Sequence, residues 1–138
     1  MKTVAELMTR DVETLSADDS LVLADTLMRR RRIRHLPVVR AGRLVGVVTH
    51  RDLLRAQAEI TARIPVSDEE RFVSLAVGDL MTTDVKTASP DEPARDAAQR
   101  MLESKLGCLP VVDPEGQLVG IVTEVDFLRW AITLVGDA

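Results

Sequence analysis

The chain has 138 residues, 46% apolar and 29% charged, and 18 basic against 22 acidic side chains leave a net charge of −4. That balance suits a folded domain and excludes wholesale disorder, while the acidic total and an aromatic content of 2% make nucleic acid an unlikely partner. Cys108 is the only cysteine, so an internal disulfide, a CxxC redox pair and a four-cysteine metal site are excluded. Nothing approaches the roughly 20 apolar residues of a membrane span, and the N-terminus lacks a signal peptide's apolar run, so no membrane and a cytoplasmic address are expected.

The chain is a duplication. Val4–Thr14 and Val77–Thr87 are identical at seven of eleven positions. Leu36-Pro37-Val38-Val39 returns as Leu109-Pro110-Val111-Val112, and Gly46–Asp52 returns as Gly120–Asp126, with a one-residue insertion in the turn before Gly116. Each copy is about 53 residues, a size at which a lone core is marginal. The expected division is 1–56 and 77–138 for the two copies, with a partly helical connector over 57–76 and a pseudo-two-fold body. The fold class is α+β.

In chain order, each copy predicts strand, helix, strand, strand, helix. Ser16 and Ser89, each with an acid three residues on, read as caps of a helix, and Pro90 stands at the first helical position of the second. Leu21, Ala24, Leu27 and Met28, and likewise Ala94, Ala97, Met101 and Leu102, follow helical spacing. Two short β-branched runs then read as a hairpin, Leu36–Val39 with Arg43–Val48 and Leu109–Val112 with Gln117–Val122. Closing helices start near Thr49 and Thr123, with Leu53 and Leu54, or Phe127, Leu128, Ala131 and Ile132, as apolar faces. In the connector, Pro65 reads as a breaker and Ser67–Glu70 as the cap of a short helix. Trp130, Phe127, Ile132 and Leu134 form a C-terminal apolar stripe read first as core and second as a dimer surface. Arg29–Arg32 read as a solvated helix end.

Three motifs, in the same order in both copies, carry a resemblance to the CBS domain: Val-x-x-Leu-Met-Thr at Val4–Thr9 and Val77–Thr82, Leu-Pro-Val-Val, and Gly-x-Val-Thr-x-x-Asp. Two in tandem resemble a Bateman module. The resemblance implies β-α-β-β-α units whose clefts bind adenosine-containing ligands such as AMP, ADP, ATP or S-adenosylmethionine, and it implies ligand sensing rather than catalysis. It implies a homodimer and a regulated partner protein as well.

The residues allow that use. The threonine can cap the closing helix, whose first N–H groups favour phosphate, and the aspartate can accept both hydroxyls of a ribose. The same spacing also makes a plain capping box, and that reading stays open. Gly46 and Gly120 leave room for backbone or ligand. By the resemblance, one cleft takes Thr123 and Asp126 with Met8, Arg10, Val12, Ile33, Arg34 and His35. The other takes Thr49 and Asp52 with Met81, Thr83, Val85, Lys105, Leu106 and Gly107. Arg34 and His35 make the first the expected site of a phosphate-bearing ligand. The alternative function is a structural dimer with vestigial clefts. No nucleophile, base and orienter are nominated, no metal is implied, and no cofactor is required.

Overall fold

The computed structural model describes residues 2–63 and 75–135, with side chains at 2–59 and 75–135. It divides into two compact units that cut across the repeat, Met1–Val12 with Lys86–Ala138, and Glu13–Val85. Each unit joins the opening segment of one copy to the helices and hairpin of the other.

In the unit Glu13–Val85, the helix α2 (Leu21–Arg31) buries Leu21, Ala24 and Met28. It is followed by β1 (His35–Arg40) and β2 (Arg43–Thr49), then α3 (His50–Arg63). The strands pair antiparallel from His35 opposite Thr49 to Arg40 opposite Arg43, with one extra residue, Val45, on β2. The two-residue turn puts Ala41 at φ 51° and Gly42 at φ 79°, the left-handed pair that a tight hairpin requires. Leu15, Leu36, Val38, Val48, Leu53 and Val77 fill the core with the α2 stripe.

The other unit repeats this plan after a four-residue helix, α1 (Val4–Leu7). Its parts are α4 (Ala94–Ser104), β3 (Cys108–Val112), β4 (Leu118–Thr123) and α5 (Glu124–Val135), and its hairpin carries the same extra residue, at Val119. The inserted residue lengthens the turn. Asp113 Oδ1 accepts the N–H groups of Glu115 and Gln117 at 3.0 and 2.9 Å, and Gly116 takes the left-handed position at φ 84°. Val4, Met8, Ala97, Met101, Leu109, Val111 and Val122 form its core.

The two units bind their borrowed segments identically. Thr9 N donates to Ile121 O at 2.9 Å and Ile121 N to Thr9 O at 3.0 Å, and Thr82 and Val47 exchange the same pair at 2.9 and 3.0 Å. Directly beside these bonds, a Cβ on Gly120 would stand 2.6 Å from Met8 Sδ and 3.0 Å from Thr9 O, and Gly46 meets Met81 and Thr82 at the same distances. The space those glycines leave is thus filled by the chain itself.

Several expected local features are corrected. The opening strands shrink to single residues: Leu15 bridges Val38, and Ala88 bridges Val111, both in parallel. The strand cannot extend past Leu15 because Ser16 N is already bound to Asp19 Oδ2 at 2.7 Å in a turn of its own. Ser16 and Ser89 therefore close turns, and the helices begin later, capped by Ser20, whose Oγ accepts Leu23 N at 3.1 Å, and entered through Pro93. Leu102 lies one position off the stripe of Ala94, Ala97 and Met101, which turns it outward to 75% exposure. On α5 the stripe is not core: Leu128, Ile132 and Leu134 are 63–72% exposed. Ala131 is exposed too, whereas Phe127 packs on the core. Of the connector, residues 57–63 continue α3, and Pro65 and Ser67–Glu70 lie outside the described residues.

Gly120→Ala should lower unfolding free energy by about 1–3 kcal/mol, the usual cost of forcing atoms into a packed site. Met8→Ala in that background should recover part of the loss by removing the thioether. Urea titration reads both, and an unchanged midpoint for Gly120→Ala would show that the segment is not held this closely.

Candidate functional site

Both Thr-x-x-Asp motifs stand where a hairpin strand becomes the closing helix, so each aspartate lies in the helix's first turn. Thr49 N donates to Asp52 Oδ2 at 2.9 Å and Asp52 N to Thr49 Oγ1 at 3.2 Å, a reciprocal capping box. In the other unit, Thr123 N donates to Asp126 Oδ2 at 2.8 Å. The capping box is therefore complete at Asp52, whereas at Asp126 the carboxylate half is present and the Thr123 hydroxyl also points to Asp126 Oδ2 at 3.5 Å.

Here the two sites part. Asp126 is 6% exposed, and its second oxygen, Oδ1, accepts the Thr9 hydroxyl at 3.2 Å, with Arg129 Nη1 3.7 Å away. Asp52 is half-buried and, among the described residues, Thr49 N is the only hydrogen-bond donor to its carboxylate. Thr82 occupies the place of Thr9, but among the described residues its hydroxyl makes no such bond. Among the described residues, both oxygens of Asp126 accept a hydrogen bond, whereas one oxygen of Asp52 does.

The remaining expected residues fall by unit. With Asp126 lie Met8, buried over Gly120, exposed Arg10, whose Nη2 donates to Ala5 O at 3.2 Å, and half-buried Val12. The same unit holds Lys105, the left-handed cap of α4, with Leu106, which donates to Met101 O at 2.9 Å, and Gly107. With Asp52 lie Met81, Thr83 and Val85, together with Ile33, Arg34 and His35. His35 sits opposite Thr49 on the hairpin, and Arg34 O accepts His50 N at 2.9 Å. Thus Arg34 and His35, expected beside Asp126, share a compact unit with Asp52.

Two features were not anticipated. Thr9 is a partner of Asp126, and its recurrence as Thr82 is the signal that could have found it. A cleft of about 210 Å³ between α2 and α3 is lined by Val22, Asp25, Arg29, His50, Leu53, Leu54 and Gln57, and nothing in the spacing of those residues marks it. The arginine run behaves as a helix end: Arg29 pairs with Asp25 at 3.2 Å and Arg31 with Glu13 at 2.6 Å. Burial pushes the Cys108 thiol up to about 12, so it stays protonated and unreactive near neutral pH. Among the described residues, no cluster of His, Cys, Asp and Glu could hold a metal ion, and no helix is long and apolar enough to cross a membrane.

The CBS domain family description matches residues 4–59 and 77–133, which is most of the chain. The chain belongs to the CBS domain family. It is a tandem CBS pair, or Bateman module, and such pairs are regulatory rather than catalytic. A homoserine O-acetyltransferase of Methanococcoides burtonii is 37% identical over 127 residues, covering 91% of this chain. This CBS pair spans 23% of that relative's length, and 24% of the next, an inosine-5'-monophosphate dehydrogenase of Korarchaeum cryptofilum. Among solved structures, Arabidopsis thaliana CBSX2 in complex with AMP is similar at a TM-score of 0.83 and 30% identity, covering 98% of this chain and 99% of that one. The CBS domain pair of protein MJ0100, in complex with 5'-methylthioadenosine and S-adenosyl-L-methionine, has a TM-score of 0.81 at 29% identity, covering 95% of this chain and 96% of that one.

Asp126→Ala should strip partners from the Thr9 hydroxyl and Thr123 N–H and cost about 1–3 kcal/mol of stability. Asp52→Ala removes a cap alone and should cost about 1 kcal/mol. Denaturant titration of the two variants should rank them in that order; equal losses would mean that Thr9 adds nothing.

Proposed function

We propose that this CBS pair binds an adenosine-containing ligand, AMP, ADP, ATP or S-adenosylmethionine, at its Thr-x-x-Asp ends and passes its occupancy to a partner protein in the cytoplasm. The observation that carries the reading is the half-buried Asp52 carboxylate, which caps α3 with one oxygen and leaves the other for a hydroxyl pair. Thr49, Arg34 and His35 stand in the same unit, and Met81, Thr83 and Val85 belong to the segment bound beside them. Thr123, Asp126, Met8, Arg10, Val12, Lys105, Leu106 and Gly107 make the second site, where a ribose must first displace the Thr9 hydroxyl from Asp126. The AMP, methylthioadenosine and S-adenosylmethionine complexes of similar CBS pairs support the ligand class.

Calorimetric titration of the four ligands tests it. Asp52→Asn keeps an acceptor for Thr49 N but removes the charge, and it should weaken binding about 10- to 150-fold, the equivalent of roughly 1.5–3 kcal/mol. Absence of binding by all four ligands at millimolar concentration would overturn the proposal.

The exposed apolar face of α5 favours a second reading, a structural dimer with vestigial sites. Val125, Leu128, Ile132 and Val135 share one face of the helix and are 50–72% exposed, and a second copy would bury them. Sedimentation at micromolar concentration should give a dimer that Leu128→Glu with Ile132→Glu converts to a monomer. That dimer, combined with a melting temperature no nucleotide shifts, would favour the structural reading over sensing; a monomeric wild type would remove the dimer.

A further inference from the structure

The two Thr-x-x-Asp sites differ in charge at position after position. Beside Asp52 stand Arg34, His35, His50 and Arg51; the repeat puts Gly107, Cys108, Glu124 and Val125 at the same places around Asp126. The backbone fixes the correspondence. His35 is opposite Thr49 as Cys108 is opposite Thr123, and His50 and Glu124 each begin the closing helix.

The opening segments contribute Thr83 and Asp84 to the Asp52 unit and Arg10 and Asp11 to the Asp126 unit. Arg55 and Arg129 sit three residues beyond the respective aspartates. With the equivalent caps Arg32 and Lys105 counted, there are thus four arginines and two carboxylates around Asp52, with two histidines in addition; around Asp126 there are two arginines, one lysine and three carboxylates. Arg34 and Arg51 are exposed and form no ion pair among the described residues. Arg129 is 3.7 Å from the Asp126 carboxylate, where it offsets that charge.

Resting on the adenosine-binding reading, we propose that the sites are specialised by charge. The Asp52 site takes a nucleoside phosphate, whose negative charge Arg34 and Arg51 match. The Asp126 site takes an uncharged or cationic adenosine derivative, a thioether or a sulfonium, because its carboxylates Asp11, Glu124 and Asp126 equal its cations Arg10, Lys105 and Arg129 in number and leave no excess positive charge for a phosphate. The chain is then a two-input module that reads the two ligand classes side by side.

The test is calorimetry with ADP and 5'-methylthioadenosine, alone and in succession, on the wild type and on Arg34→Gln combined with Arg51→Gln. Both substitutions are at exposed positions, and circular dichroism checks the fold. In the wild type, ADP should still bind with one equivalent after saturation with methylthioadenosine. The double variant should lose ADP affinity by about tenfold or more while methylthioadenosine affinity changes by less than about twofold. Raising ionic strength from about 0.05 to 0.3 M should weaken ADP alone. Mutual displacement of the two ligands, or equal losses in the variant, would overturn specialisation while leaving adenosine binding intact. Failure of both ligands to bind the wild type would overturn the underlying reading as well.

Discussion

The fold depends on a pair of backbone hydrogen bonds made twice. Thr9 and Ile121 exchange one pair, Thr82 and Val47 the other, and each ties the opening segment of one copy to the hairpin of the other. A two-stranded hairpin has marginal stability by itself and presents an unpaired edge. Here the borrowed segment covers part of that edge on one side, while Leu15 or Ala88 bridges the other strand. The close approach needs a residue without a Cβ, so Gly46 and Gly120 follow from the exchange and not from ligand binding.

The same exchange sets the state of the carboxylates. Because the segment carrying Thr9 is bonded at Ile121, the threonine hydroxyl comes within 3.2 Å of Asp126 and takes its second oxygen. The segment carrying Thr82 is bonded identically at Val47, yet Asp52 keeps its second oxygen clear of it. Two copies with one backbone plan therefore hold one carboxylate bonded through both oxygens and one bonded through a single oxygen. A buried acceptor left without a donor costs about 1–3 kcal/mol, so the Thr9 bond is what makes the deeper burial of Asp126 tolerable.

Much of this was legible in the sequence. Helical stripes at Leu21, Ala24 and Met28 and at Ala94, Ala97 and Met101, both hairpins and both closing helices follow from periodicity and turn residues. The capping box of Thr49 and Asp52 followed from spacing too, as did the Thr123 N–H bond to Asp126. What was not legible was long-range. Ser16 and Ser89 carry the local pattern of a helix cap, but a separate turn claims them, and the helix start is set by residues that neighbour it only in space: Leu21 N donates to Leu75 O at 3.3 Å and Ala94 N to Lys2 O at 2.9 Å. The grouping of Arg34 and His35 with Asp52 likewise depends on the hairpin register, which places His35 opposite Thr49. The outward turn of Leu128 and Ile132 was hidden because an apolar stripe has the same spacing whether it meets the core or another chain.

One of the two compact units, Met1–Val12 with Lys86–Ala138, is not a continuous stretch of chain. The strand to which Met1–Val12 bonds, Leu118–Thr123, is made more than a hundred residues after it. A hydrophobic segment bearing Val4 and Met8 must wait, unpartnered, until that strand has been made. The unit Glu13–Val85, whose pieces are closer in sequence, can close first and leave the other to complete last. Order of assembly is thereby written into the connectivity, and cutting the chain between its two repeats would leave each half holding the other's segment.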